Sequence, residues 1–182
     1  MTAPSVPDRW IQPALFALKD CLCETLGAAP YAPVCFCCVQ HSQVLPPMDR
    51  CDCDCTFGGG EDPVVQGNGQ GWVRLVQAYQ TQTQLGPRIC QNVLKADVQL
   101  GVYRCIEGVL DTDSSPPMLP TCEQLENDAL LMLADRAAMW RAVQCCTAIK
   151  NFDPVFGNWV PIGPSGGCAG GALTVTLSFV MP

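Results

Sequence analysis

The clearest alternation of apolar and polar positions lies at residues 173–179. Large apolar residues occupy every second position and hydroxyl residues lie between them: Leu173, Val175, Leu177 and Phe179 against Thr174, Thr176 and Ser178. A period of two predicts a half-buried β-strand. The glycine-rich residues 163–171 predict a bend into this strand, whose partners we expect earlier in the chain.

A second region predicts a β-hairpin with arms at residues 72–82 and 96–107. The second arm has apolar residues at alternate positions, namely Val98, Leu100, Val102 and Ile106. The connection around Gly86-Pro87 is too long for a tight turn, so we expect an open loop. The neighbouring prolines restrict residues 31–40 to a short edge strand, because proline cannot donate to a central ladder.

Two segments predict helices. Residues 9–26 have leucines at helical spacing and Gly27 as a stop signal. Thr121 and Gln124 fit a capping box at the start of a longer helix, which we expect to reach about residue 148. Its predicted buried stripe consists of Cys122, Leu125, Ala129, Met132, Leu133, Trp140 and Val143.

The order of these elements predicts an α+β fold, in which an antiparallel β-sheet packs against the long helix and the N-terminal helix. The 182 residues fit one domain, residues 1–182. Residues 35–71 form a cysteine- and glycine-rich irregular loop region within it. The hydrophobic content of 48% excludes disorder of the whole chain.

Charge narrows the possible partners. The formal net charge is −7, and the ten lysines and arginines are scattered along the chain. No basic stripe is present to neutralise phosphates, which argues against tight binding of nucleic acid. The sequence has no apolar run of about 18 residues and no signal-peptide pattern at its start, so we expect no membrane partner and synthesis in the cytoplasm.

The 14 cysteines, beside the single histidine His41, are unusual for such a protein. Disulfides, zinc ligation and unmodified thiols all remain open from the residues alone. The zinc-ligand candidates are Cys35, Cys37, Cys38, Cys51, Cys53 and Cys55. The disulfide candidates are Cys21, Cys23, Cys35, Cys38, Cys53, Cys55, Cys105, Cys146 and Cys168. The adjacent pairs Cys37/Cys38 and Cys145/Cys146 are poorly placed to bond internally, so each should have separate partners.

One motif suggests catalysis. Residues 163–167 match G-x-S-x-G around Ser165, but a nucleophile elbow requires a helix after the serine, and here a strand is predicted. The only possible base is His41, in the cysteine-rich loop, and nothing places it near Ser165. We therefore expect no catalytic residues, no enzymatic activity and no cofactor.

Several stretches in a fixed order resemble the head-to-tail connector proteins of tailed phages of actinobacteria, and most closely the tail-terminator type. The resemblance covers most of residues 10–180, and the order of the motifs is more specific than any one of them. The stretches are CLCETLG, PVCFCC, CDCDC, the entry at Gly69, Gly71, Trp72, Val73 and Arg74, GVYRC, DRAAMWRAVQCC and WVPIGPSGGCAGGALTVTL.

The resemblance implies a structural virion protein that forms a ring, commonly a hexamer, at the head-tail junction. Such a ring terminates the tail tube, contacts the tail tube protein and the head-completion proteins, and lets genomic DNA pass through its lumen without sequence-specific binding. A head-closure or stopper protein is the nearest alternative, and a zinc-binding cysteine-rich module is the alternative from another class. We expect residues 58–71 and 81–92 to contact neighbouring subunits.

Overall fold

A computed structural model of the chain describes residues 9–28, 30–40, 54–57, 65–84, 90–105, 120–165 and 168–180. At residues 54–57, 65–67, 82–84, 90–92 and 164–165 the description is confined to the backbone. The fold is α+β, as the sequence predicts.

The elements follow one another as α1 (Ile11–Gly27), β1 (Phe36–Gln40), β2 (Asp54–Phe57), β3 (Val65–Asn68), β4 (Gln70–Gln84), β5 (Cys90–Cys105), α2 (Cys122–Cys145), a 3₁₀-helix (Thr147–Phe152), β6 (Val155–Ser165) and β7 (Cys168–Val180). The two predicted helices, the hairpin and the terminal strand are confirmed. β1 confirms the predicted short edge strand within residues 31–40. The prediction of an irregular region over residues 35–71 is otherwise wrong in part, because β2 and β3 lie within it.

Five strands form the main sheet in the order β1-β4-β5-β7-β6, and β2 pairs with β3 in a separate two-stranded sheet. β4, β5, β7 and β6 are antiparallel neighbours. β1 instead runs parallel to β4, so the prediction of a purely antiparallel sheet is wrong at this edge. A parallel pair needs a long crossover, and residues 41–69 supply the length.

One face of the sheet packs against the helices. Alternate residues of β5 and β7 form this face, and α1 contributes the leucines of one helical stripe. The fully buried members are Leu18, Leu22, Leu26, Val98, Leu100, Val102, Leu173, Val175 and Leu177. Burying one such side chain stabilises the fold by roughly 1.5–3 kcal/mol, so this layer is the main source of stability.

The long helix α2 begins as predicted but packs differently. Thr121 Oγ1 accepts from the Gln124 amide at 3.2 Å, and Gln124 Oε1 accepts from the Thr121 amide at 2.8 Å, which completes the capping box. Its buried residues are Asp135, Ala138, Met139, Ala142 and Val143, all in the C-terminal half. The predicted stripe is therefore wrong in part: Val143 is buried and Trp140 half-buried, but Leu125 and Leu133 are exposed, and the N-terminal half of α2 buries no residue.

The opposite face of the sheet contains a polar ladder. Arg74 Nη2 donates to Gln99 Oε1 at 2.7 Å, and Gln99 Nε2 donates to Thr174 Oγ1 at 3.3 Å. These residues share one register line across β4, β5 and β7. Beside the ladder, Trp72 and Tyr103 are fully buried, so this face is only partly polar.

Gly101 in β5 lies directly under the Trp72 ring, where an added Cβ would overlap three ring carbons. Trp72 is fully buried and has no space to move away. We expect Gly101→Ala to lower the free energy of unfolding by about 1–3 kcal/mol, the usual cost of overpacking. Urea unfolding without reductant would measure the change.

Gly27 provides the control for this substitution. A Cβ at Gly27 would meet nothing within 4 Å, and the residue ends α1. Gly27→Ala should be neutral or stabilise by up to about 1 kcal/mol through the unfolded chain. Equal destabilisation by both alanines would contradict the steric explanation.

Candidate assembly surfaces

Ser165 is the last residue of β6, and β7 begins at Cys168. The segment that follows the serine is therefore a strand, as the sequence predicts, and a nucleophile elbow needs a helix there. The Ser165 side chain and the whole of His41 lie outside the described residues. The described geometry gives no support to hydrolase chemistry at this motif.

Two disulfides join α1 to other elements. Cys21 bonds to Cys146, just after α2, with their Cα atoms 5.7 Å apart. Cys23 bonds to Cys37 in β1, with Cα atoms 6.1 Å apart. Cys37 is absent from the set of disulfide candidates that the sequence suggests. The two bridges attach the last turns of α1 to the end of α2 and to β1.

The other cysteines that the sequence suggests as disulfide candidates are in different chemical states. Cys35 and Cys168 are also disulfide-bonded, whereas Cys38 and Cys105 are thiols and were wrongly included. Strand alternation explains Cys38: it points to the face opposite α1, toward Trp72, while Cys37 points to α1. The residue before Cys105, Arg104, lies on the helix face instead. The side chains of Cys53 and Cys55 lie outside the described part of the chain.

The zinc-ligand candidates are not assembled in the described region. Cys35 and Cys37 are in disulfides and so are not thiolate ligands in this state. Cys51 and Cys53 lie outside the described residues. Among the side chains that the structure describes, no group of three His, Cys, Asp or Glu residues is placed to hold a metal ion.

A buried ion pair lies where β5 meets α2, and sequence reasoning missed it. Arg104 Nη2 and Nε donate to the two carboxylate oxygens of Asp135 at 2.7 and 2.9 Å. The remaining donors of Arg104 reach backbone oxygens: Ala32 at 2.6 Å, Pro33 at 2.9 Å and Asn68 at 2.7 Å. Arg104 thus connects β5 to α2, to the segment before β1 and to the end of β3.

A signal for this pair exists in the sequence. Val98, Leu100 and Val102 share one face of β5, and the same alternation places Arg104 on that face. A cation in a buried row requires an anionic partner. Burial raises the pKa of Asp135, and the hydrogen bonds and charge of Arg104 act in the opposite direction. The pair is structural, because both side chains are almost fully enclosed.

Tyr103 is the other buried titratable side chain with a shifted pKa. Burial raises its pKa to about 12, and the nearby charge of Arg74 only partly opposes the shift. The phenol is therefore neutral at physiological pH and cannot act as a general base there. Its contact with Trp72, with ring centroids 5.8 Å apart, serves packing.

The sheet has two open edges on opposite sides. β6 has β7 on one side, and no described strand on the other. β1 covers β4 only from Gln70 to Arg74, so β4 from residue 75 onward lacks a second described neighbour. Val155 and Val160 of β6 are 56% and 53% exposed. Open edges with exposed apolar residues are templates for pairing with another chain.

The segments that the sequence suggests for assembly are only partly described. Residues 65–71 form β3 and the start of β4, and Gly69, Gln70 and Gly71 are buried. Gly69, Gln70 and Gly71 therefore offer little surface to a neighbour. In the region 81–92, the strands extend to Gln84 and from Cys90, and residues 85–89 lie outside the description.

Large apolar side chains remain exposed on the outer face of α2. Leu125 is 49% exposed, Leu130 64% and Leu133 52%. None of the helices that the structure describes has the length and hydropathy to cross a membrane. Large apolar side chains that remain exposed on a helix indicate a contact surface for another protein.

Comparison with known proteins does not assign the chain to a family. No protein-family model matches the chain, and no curated protein is significantly similar to it.

Proposed function

We propose that the protein is a structural virion component that assembles into a ring at the head-tail junction of a phage. The ring, with six copies as the subunit number that the resemblance implies, terminates the tail tube. It contacts the tail tube protein on one side and the head-completion protein on the other. The phage resemblance of the sequence motifs is the source of the specific role, and the open sheet edges support the assembly.

The observation that supports self-assembly best is the position of the open edges. The free edge of β6 and the free part of β4 lie on opposite sides of one sheet. Pairing of β6 in one copy with β4 in the next uses two different surfaces, so it is heterologous. A heterologous contact closes into a ring when the rotation per subunit divides a full turn.

The charge of the chain agrees with a DNA conduit. A net charge of −7 and scattered basic residues give little attraction to phosphates, which would let DNA pass without sticking. Partners and localisation follow from the same proposal: the protein is made in the host cytoplasm and becomes part of the virion. A predominantly basic lumen wall in an assembled ring would contradict this conduit.

Val155→Lys together with Val160→Lys should abolish rings and leave a folded subunit. Charged side chains on an edge strand oppose pairing with another chain, and both valines are more than half exposed, so the fold should lose little stability. Negative-stain electron micrographs should show rings with a central hole for the native chain and none for the double variant.

Phe16→Lys is the matched control, because Phe16 is also exposed, at 47%, and belongs to helix α1 rather than to an edge strand. Rings should persist in this control. A native chain that stays monomeric at every concentration would refute the proposed function. A native ring that lacks affinity for the tail tube protein would point to the head-closure alternative.

A further inference from the structure

The solvent face of α2 has a regular apolar seam. Leu130, Leu133, Ala137 and Trp140 follow one another at spacings of three and four residues, and the polar Gln144 ends the row. Leu130, Leu133 and Ala137 are exposed, while Trp140 is half-buried. A three-four repeat of this kind is the pattern with which one helix packs along another. A helix of a globular protein usually has polar residues on its solvent face, so this seam requires a partner.

The two halves of the seam differ in shape. The C-terminal half lines a groove of about 520 Å³, whose described lining is Arg136, Ala137, Trp140, Arg141, Gln144 and Cys145. The N-terminal half instead exposes the side chains of Leu130 and Leu133. In an antiparallel pair of whole helices, Leu130 of one copy reaches Ala137 at the edge of the groove of the other.

The charges of α2 favour the same direction. Glu123 and Glu126 lie in the exposed N-terminal half, and Arg136 and Arg141 are exposed in the C-terminal half. None of these four forms an ion pair with another described residue. The helix dipole adds a positive N-terminus and a negative C-terminus. Antiparallel alignment of two copies brings unlike side-chain charges together, whereas parallel alignment would bring like charges together.

We propose that a second copy of this chain packs its α2 antiparallel along this seam, related by a twofold axis. The alignment is centred between residues 133 and 134, so the two Leu133 side chains meet near the axis and Leu130 of each copy lies against Ala137 of the other. Glu126 of each copy faces Arg141 of the other. Such a contact is isologous, with the same patch used twice. It does not use the edges of β4 and β6, so it is independent of ring closure and of the proposed function.

Two exposed thiols at the ends of α2 allow the relative direction of the paired helices to be measured. Cys122 is the first residue of α2 and Cys145 the last, and both are exposed thiols. The helix has 24 residues, which is a length of about 36 Å. Antiparallel overlap of the whole helix places Cys122 of one copy beside Cys145 of the other. Parallel overlap would instead place Cys122 beside Cys122 and Cys145 beside Cys145.

The proposal is tested by sedimentation equilibrium in the Val155→Lys/Val160→Lys background, where ring closure does not contribute. Leu130→Glu with Leu133→Glu should raise the dimer dissociation constant at least about 100-fold, because it places charges in the apolar contact. Phe16→Glu, an equally exposed apolar residue on α1, should leave the constant unchanged. Circular dichroism should show that all variants keep their helices.

The direction of the helices needs a second measurement. Glu126→Arg and Arg141→Glu should each weaken the dimer, and the two together should restore it. A short bis-maleimide should join Cys122 to Cys145 of the other copy, as mapped by mass spectrometry of peptides. Links of Cys122 to Cys122 would overturn the antiparallel arrangement. The contact itself would be overturned if the chain with native α2 stayed monomeric at all concentrations. It would also be overturned if Leu130→Glu with Leu133→Glu left the dimer intact.

The outcomes of the two proposals are separable. If rings persist in the Leu130→Glu/Leu133→Glu variant, in which β6 is native, ring assembly does not depend on the α2 contact. Dimers that persist in the β6 variant would support the α2 contact even if micrographs of the native chain show no rings.

Discussion

Arg104→Met should lower the free energy of unfolding by about 3–5 kcal/mol, or prevent folding. The substitution leaves the Asp135 carboxylate buried without its cation, and breaking a buried pair from one side has a cost of this size. It also removes the donors for the carbonyls of Ala32, Pro33 and Asn68. Urea unfolding at neutral pH, without reductant, would measure the loss.

Arg136→Met is the matched control, because Arg136 is an exposed arginine that follows Asp135 directly. Its effect should stay within about 0.5 kcal/mol, as for most surface substitutions. A loss below about 1 kcal/mol for Arg104→Met would show that the buried pair contributes little relative to its desolvation.

The pH dependence of the Arg104→Met variant gives an independent readout. Burial already raises the pKa of Asp135, and Arg104 opposes that shift, so removing the arginine raises the pKa further. The folded state then holds the proton to higher pH than the unfolded state, whose carboxyl titrates near pH 4. Stability is therefore lost as pH rises above about 4, through the folded pKa.

The cost of Arg104→Met should accordingly be smaller at pH 4 than at pH 7.5, measured against the native chain at each pH. Adding Asp135→Asn to Arg104→Met, with Asp135→Asn alone as the reference, should remove this difference, since no titrating group remains at position 135 in either chain. A cost that is equal at both pH values in the single variant would mean that Asp135 is already solvated or protonated.

Cys21→Ala with Cys146→Ala should lower the free energy of unfolding by about 4–5 kcal/mol. The two cysteines are 125 residues apart, and a bridge across so long a loop strongly restricts the unfolded chain. Cys23→Ala with Cys37→Ala removes a bridge that spans 14 residues, for which the same model gives about 3 kcal/mol. Denaturant unfolding of both double variants measures the difference.

Cys145→Ala is the control for this comparison, because Cys145 neighbours Cys146 and is an exposed thiol. Its effect on stability should be close to zero. A larger loss for the short bridge than for the long one would show that native packing, rather than loop length, determines the contribution of each bridge.

The features predictable from the sequence are those set by neighbouring residues. The capping box depends on Thr121 and Gln124, three positions apart, and forms as expected. The alternation in β7 fixes which side chains are buried, because the period of a strand is two. Gly27 ends α1 as expected. Each of these signals lies within one turn or one strand.

The features that were missed depend on packing between distant segments. α2 has apolar residues all round its N-terminal half, so periodicity alone could not show that the buried face begins only at Asp135. The choice of Cys37 over Cys38 as a partner for α1 depends on the register of β1, which its parallel pairing with β4 sets. Most side chains of the predicted contact segments 58–71 and 81–92 lie outside the described residues, and these contacts stay predictions.

The central position of β7 has a consequence for synthesis of the chain. It lies between β5 and β6 and is the latest described strand in sequence order. While a ribosome is still making residues 168–180, the inner edge of β5 has no partner from its own subunit. Such long-range pairing makes folding slow, and at high expression the uncovered strand can be captured by another nascent chain. Weaker expression, which lowers the concentration of nascent chains, should therefore increase the yield of correctly folded subunits.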